Sequence, residues 1–382
     1  MASSSTSSAD PTSLAGRPAP GIPHELLVQI IHYAAPPLAT DVKSHRRRRR
    51  PLRRYALVNK AWHGAALDEA SQHLFINLHE PGWAQSADTA TERILTARKR
   101  AEERGRNVKT LALFGEKHMP DSSADVLRSS FEHAHIMTLQ KMKKPMRLLA
   151  GSNILTSLRL YEINSPEFIG AYPALKRLEL IDCFAESFVS TWTKKHFPVL
   201  ETAVLQIKAR RRDVPFTGLD SREDEVERPD TLRALAIAGG FQYFPLLGLE
   251  AQVQLEHVHI GTTEDVATLF LTMCRTITTS LSLDPNGTGV TPPGMDWRET
   301  WRELASSTRI SQLKSLKLYN VIDPKADPWF LNFAQHFLAT QKDLDADFEY
   351  AHNTARLSLT EWDPLNGVVR AMGEPVEEDT CR

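Results

Sequence analysis

The densest chemical feature of the chain is His45-Arg46-Arg47-Arg48-Arg49-Arg50-Pro51-Leu52-Arg53-Arg54. A run of this kind looks like a nuclear-import signal or an electrostatic patch for RNA or DNA phosphates. Phosphate contacts give affinity without reading sequence. No aromatic residues interleave Arg46, Arg47, Arg48, Arg49, Arg50, Arg53 and Arg54, so base stacking and sequence-specific recognition of nucleic acid are not expected. A solvated loop accounts for the run equally well. Lys141-Met142-Lys143-Lys144-Pro145-Met146-Arg147 is a smaller basic cluster and reads as a surface face.

Catalytic patterns are missing. The chain has no G-x-S-x-G, no P-loop, no G-x-G-x-x-G after a strand and no H-E-x-x-H. Glu132-His133-Ala134-His135 supplies at most half a metal site, with no further ligands nearby, and reads as a polar helix end. Cys183, Cys274 and Cys381 are odd in number and widely spaced, which fits neither a zinc motif nor a disulfide framework. They point to a reducing compartment, and Cys183 and Cys274, in apolar surroundings, read as core. The expectation is a protein that is not an enzyme and needs no metal or cofactor.

What must position any site is a chain of 382 residues with 41% hydrophobic content and a formal net charge of −1. That suits one large domain plus a small one. The near-neutral balance gives no global attraction to nucleic acid or membrane. No run approaches the roughly eighteen apolar residues of a membrane helix. Met1 to Pro20 is rich in Ser, Ala and Pro, lacks an apolar signal core and reads as disordered. An intracellular location, cytoplasmic or nuclear, and no membrane partner follow as expectations.

Residues 21–80 read as a small helical unit. Pro23 suits a first helical turn, and Leu26, Leu27, Ile30, Ile31 and Ala34 form an apolar stripe. Leu57, Val58, Ala61 and Trp62 repeat that spacing, and Leu67, Ala70, Leu74 and Phe75 make a weaker third stripe. Between the first two stripes lies a long basic insertion, 36–51. Three short helices cannot bury enough surface to be stable alone, so some apolar residues must face a partner or the rest of the chain. Ile22-Pro23, Glu25-Leu26-Leu27, Ile30-Ile31, Leu57-Val58-Asn59-Lys60 and Trp62 carry a further signal. With these residues the unit resembles an F-box, the module that docks adaptors onto Skp1 in cullin–RING ubiquitin ligases. The resemblance implies that Ile22, Pro23, Leu26, Leu27, Ile30, Ile31, Leu57, Val58 and Trp62 bind Skp1. Within that set, Pro23 and Leu27 would face the partner and Trp62 would anchor the later helix.

Downstream, after a helix expected over Thr89 to Arg104, one phrase recurs: L-x-x-L-x-L. It stands at Val108–Leu113, Leu155–Leu160, Leu175–Leu180, Leu232–Ile237, Leu255–Ile260 and Leu313–Leu318, with weaker copies at Leu200–Leu205, Thr278–Leu283 and Thr354–Leu359. The last two apolar positions of each lie two apart, as on one face of a strand. Helix-like segments intervene at Ala185–His196, Thr263–Arg275 and Asp296–Leu304. Recurrence of this kind marks stacked repeats, and it resembles degenerate leucine-rich repeats as found in F-box proteins of fungal type. Ala209 to Asp230 reads as a mobile loop, Asp284 to Gly294 as turns, and the region of Trp329, Phe330, Phe333 and Phe337 as a closing helix.

The expected fold is therefore α/β: a three-helix F-box-like unit followed by an irregular leucine-rich-repeat solenoid over 81–370, then an acidic tail, 371–382. The resemblance implies an adaptor of a Skp1–cullin–F-box ubiquitin ligase, holding an unknown protein substrate on its repeats. Arg159, Lys176, Arg177, Glu179, Lys314 and Lys317 fill exposed positions between the leucines. A leucine-rich-repeat scaffold without a ligase role, nuclear or RNA-associated through the arginines, is the alternative.

Overall fold

Apolar residues at alternate positions build most of this fold. A computed structural model describes residues 21–36, 42–77, 87–103, 107–115, 133–141, 146–149, 153–163, 166–184, 188, 191–208, 227–239, 255–261, 279–284, 313–319, 349–353, 356–357, 359, 362–366 and 371–372. The helices come first: α1 (His24–Ala34), α2 (Val42–Tyr55) and α3 (Lys60–Gln72), with α4 (Ala87–Glu103) after the first strand. The strands are β1 (His73–Asn77), β2 (Thr110–Phe114), β3 (Ile136–Gln140), β4 (Met146–Leu149), β5 (Ser157–Tyr161), β6 (Pro166–Ile169), β7 (Arg177–Phe184) and β8 (Thr202–Lys208). They continue as β9 (Ala234–Ala238), β10 (His257–Gly261), β11 (Ser280–Leu283), β12 (Ser315–Tyr319), β13 (Glu349–Asn353), β14 (Arg356–Leu357) and β15 (Ala371–Met372).

The protein is mixed α/β with one large parallel sheet. Its 11 strands run in the order β1-β2-β3-β5-β7-β8-β9-β10-β11-β12-β13. The expected strand phrases pair in register, with one strand that was not expected, β3, between the first two: Leu113, Leu139, Leu160, Leu180, Leu205, Ile237, Ile260, Leu283 and Leu318 form one continuous row. A second row, two residues earlier, runs Leu111, Met137, Leu158, Leu178, Ala203, Leu235, Val258, Leu281 and Leu316. Side chains two apart share a face, so both rows back the same layer, and Leu111, Leu158, Leu178 and Leu235 are buried there.

A backbone signature recurs just after three strands, β3, β5 and β9, and at a bulge within β7. Lys141, Glu162 and Asp182 take left-handed φ values of 59°, 54° and 56°, and Gly239 takes 91°. Each follows a residue of one register row: Gln140, Tyr161, Ile181 and Ala238. The amides of Lys141 and Glu162 each donate to the end of the next strand, at Tyr161 and Ile181. Gly239 is required where it stands, because a Cβ there would lie 2.7 Å from the carbonyl oxygen of Ile207.

Several boundaries differ from expectation. The sheet begins inside 21–80, since His73–Asn77 is β1 and pairs with β2; Leu74 and Phe75 are strand residues and not a helical stripe. The last strand of the large sheet is Glu349–Asn353, one segment before the copy expected at Thr354–Leu359. Ala371 and Met372 pair with β14, so the ordered body passes the expected tail boundary at 370. In the segment expected as a helix over Ala185–His196, residues 191–196 form turns, closed by the Thr193 hydroxyl on His196. Expectations for 1–20, 209–226, 263–275, 285–312 and 320–348, with Cys274, Cys381 and the end of the tail, lie outside the described residues.

Candidate partner-binding surfaces

The N-terminal helices pack on one another through Leu27, Ile31, Ala35, Leu52, Ala65 and Ala66, flanked by Val28, Tyr55 and Trp62. Residues i and i+1 of a helix point about 100° apart, and α1 uses that angle to divide its apolar residues. Leu27 and Ile31 are 2% and 0% exposed, whereas Leu26 and Ile30 are 49% and 43% exposed. Ile22 and Pro23 are also exposed, and Pro23 stands at the N-cap of α1. Of the residues matched to a partner-facing stripe, Leu27 and Ile31 therefore belong to the unit's own core. Trp62 is half-buried against it, its ring 5.9 Å from that of Tyr55.

Leu57 and Val58 do not continue a helix. The Asn59 side chain accepts the Trp62 amide at 3.0 Å and caps α3, which fixes the start of that helix at Lys60. Leu57 and Val58 are left in the turn after α2, 84% and 59% exposed. Among the described residues the exposed apolar surface of this unit thus includes Ile22, Pro23, Leu26, Ile30, Leu57 and Val58, with Tyr33 of α1 and Leu67 of α3.

The arginine run is not a loop. Arginine is a good helix former, and α2 runs through it from Val42 to Tyr55 with Pro51 inside. Arg48, Leu52 and Tyr55 lie at i, i+4 and i+7, one inward face. Arg46, Arg47, Arg49, Arg50, Arg53 and Arg54 are exposed, while Arg48 is buried against Glu69 and the carbonyl of Pro36.

Glu69 gathers three donors. Besides Arg48, His32 Nδ1 lies 2.8 Å and His73 Nε2 3.1 Å from its Oε1. Burial alone would raise this carboxyl, but the hydrogen bonds and charge of His73 and His32 bring it down to about 2. His32, Glu69 and His73 place one ligand atom each within 4.8 Å of one another. The geometry would suit a metal, but the guanidinium already holds the carboxylate oxygen that a cation would need.

The second surface is the polar face of the sheet. There Glu179 is fully buried; its Oε1 lies 2.7 Å from Arg177 Nε and 3.3 Å from Arg159 Nε, and its Oε2 accepts the Tyr161 hydroxyl at 2.6 Å. Burial, then the carboxylate, hold that hydroxyl protonated well above the usual tyrosine range. Burial works against the charge of Arg159, and Glu179, Tyr161 and Asp363 together more than offset it. Arg177 also donates to the carbonyl of Trp362 at 2.7 Å and lies 3.3 Å from Asp363. Arg177 and Glu179, expected as exposed positions between leucines, are therefore covered; Lys176 and Lys314 are exposed as expected.

Elsewhere chemistry is quiet. Burial pushes the Cys183 thiol up to about 12, which leaves it an inert core residue as expected. His133 and His135 are exposed, and His135 Nδ1 lies 3.2 Å from the Ile154 carbonyl. Among the described residues no helix is long and apolar enough to cross a membrane. Compared with known proteins, the chain matches no family model and no curated sequence.

Sequence reading missed the Glu69 and Glu179 clusters. The first had a signal in the four-residue step from Arg48 to Leu52; the second needed the chain to return from Trp362, which no local pattern announces.

Proposed function

We propose that the chain is an F-box-like adaptor of a Skp1–cullin–F-box ubiquitin ligase, with a leucine-rich-repeat domain that holds the protein to be ubiquitinated. The observation that carries this is the division of α1. A three-helix unit that buries Leu27 and Ile31 internally still leaves Ile22, Leu26 and Ile30 in solvent, and Leu57 and Val58 as well. Each large apolar side chain left exposed forgoes about 1.5–3 kcal/mol of burial. A cluster of them is what a partner-docking face requires.

The in-order parallel sheet and the left-handed residue that recurs in one register row, at β3, β5, β7 and β9, support the repeat reading. On this reading no bond is made or broken by the chain itself. It works by proximity, raising the local concentration of substrate lysines near activated ubiquitin.

The test is capture of purified Skp1 by Leu26→Asp/Ile30→Asp. Interface anchors cost about 2 kcal/mol or more when lost, roughly a thirtyfold fall in affinity. Capture should vanish while the thermal transition stays at the wild-type position. Leu27→Ala should instead lower that transition, because it empties core. Undiminished capture by the double aspartate variant would remove the F-box assignment of α1.

The exposed arginines of α2 favour a second reading, a repeat scaffold held to nucleic acid by phosphate contacts. Binding that weakens steeply between 50 and 200 mM salt, with no Skp1 capture, would select it.

A further inference from the structure

The polar face of the sheet is occupied by a distant piece of the same chain. Trp362 and Leu359 are buried in one cluster with Tyr161 of β5, Ile181 of β7, Val204 of β8, the three alanines Ala234, Ala236 and Ala238 of β9, and Tyr319 of β12. The three alanines are short, and with Val204 of β8 and His259 of β10 on either side of Ala236 they leave a shallow trough. Rings of His259 and Tyr319 approach to 6.3 Å although two strand steps separate them, and the Trp362 ring lies 6.4 Å from His259. Flat strands two steps apart would be about 9.6 Å distant, so side chains converge on this face.

The segment's contacts are those a separate peptide would make. The main-chain carbonyl of Trp362 takes the Arg177 guanidinium, and the next side chain, Asp363, pairs with the same group. The indole fills the trough. Hydrogen-bonding capacity is left over: Gln140 Oε1, Ser157 Oγ and Ser315 Oγ are buried on this face with no hydrogen-bond partner among the described residues. Native interiors leave few such atoms, so this face keeps polar groups for a longer peptide to engage.

We infer that the polar face of the sheet is a peptide-recognition groove, occupied in cis by Trp362-Asp363, whose partners present the same pair, a large aromatic residue followed by a carboxylate, and displace it. The inference needs no ligase role, since binding to the groove and binding to Skp1 use different surfaces. A tethered segment acts at an effective concentration of about a millimolar. If the tethered segment's own intrinsic affinity is about 10 μM, an external peptide binds roughly a hundredfold more weakly to the occupied groove.

The experiment uses the full chain and a fluorescent peptide with the sequence of residues 359–366. Trp362→Ala, which empties the trough, should bind the peptide at least tenfold more tightly than the wild type. Adding Arg177→Ala should cancel the gain, as should Asn in place of Asp363 within the peptide. Hydrogen exchange on the wild-type chain is the second measurement: millimolar peptide, told apart by mass, should speed exchange at 359–366. Equal affinity for wild type and Trp362→Ala, or a gain that survives Arg177→Ala, overturns the inference. If Trp362→Ala does not fold, the exchange measurement decides, and unchanged exchange makes the segment a fixed part of the core.

Discussion

Arg177 Nη2 donates a 2.7 Å hydrogen bond to the carbonyl oxygen of Trp362, a residue 185 positions later in the chain. The same guanidinium holds Glu179 through Nε at 2.7 Å. One side chain thus neutralises a buried carboxylate within its own strand and fastens the returning segment above it. A buried pair adds little by itself, but removing one partner leaves an uncompensated charge.

Arg177→Met should therefore destabilise the chain by about 3 kcal/mol, the low end for a broken buried pair because Arg159 still faces Glu179. The urea midpoint measures this. Arg177→Met/Glu179→Leu, which removes both charges, should recover most of the loss. If the double variant is no more stable than the single, charge compensation is not what Arg177 contributes.

His259 sets an acid limit on stability. It is buried, its Nδ1 is 2.9 Å from Ser282 Oγ, and the rings beside it, Tyr319 and Trp362, carry no charge. Burial lowers its pKa from 6.5 to about 3. Between those values the unfolded chain binds the proton and the folded chain does not. Stability from this group is complete above about pH 6.5 and is lost as pH falls towards 3. His259→Gln should be less stable at pH 7, and the gap to wild type should narrow steadily from pH 6.5 to 4 in urea titrations. Parallel curves would show that this imidazole is not held neutral.

The strands were legible because their chemistry is local and repetitive. Leu158 and Leu160, or Leu178 and Leu180, declare a buried face two residues at a time, and the row from Leu113 to Leu318 follows once neighbouring phrases pair, except at Leu139, where Ala134 and Met137 stand in place of leucines. The helical unit was legible in part. The stripe of α1 could be read, but which half faces inward depends on where Leu52 and Ala65 stand, and that is tertiary. Leu57 and Val58 kept helical spacing, yet the Asn59 cap overrode it. Charge hid α2: a run of arginines reads as solvent-exposed, and only the partner Glu69 makes Arg48 a core residue. The groove around Trp362 joins residues from β5 to β12 and could not be seen from spacing.

The arginine run separates into two kinds of residue, and that separation can be tested. Arg48 is buried, bonded to Glu69 and to the Pro36 carbonyl, and shares the inward face of α2 with Leu52. Arg46, Arg47, Arg49 and Arg50 point outward. Surface charges in high dielectric contribute about 0–1 kcal/mol each, whereas a buried charge left unpaired costs several. Arg48→Met strands Glu69 with only His32 and His73 as donors, so a loss of about 3 kcal/mol is expected. Replacing the four outward arginines by Gln should leave the urea midpoint within about 0.5 kcal/mol of wild type, since Gln keeps helix propensity. That variant alone should change what the exposed charge does: nuclear accumulation of a fluorescent fusion, or the salt slope of RNA binding, which falls by about 0.7 for each single-strand phosphate contact removed. A substitution of all five residues would confuse the two effects, because unfolding through Arg48 imitates loss of function. If the four-residue variant keeps its distribution and its salt slope, the outward arginines are a solvated helix face. If Arg48→Met keeps its stability, Arg48 does not hold the helical unit together.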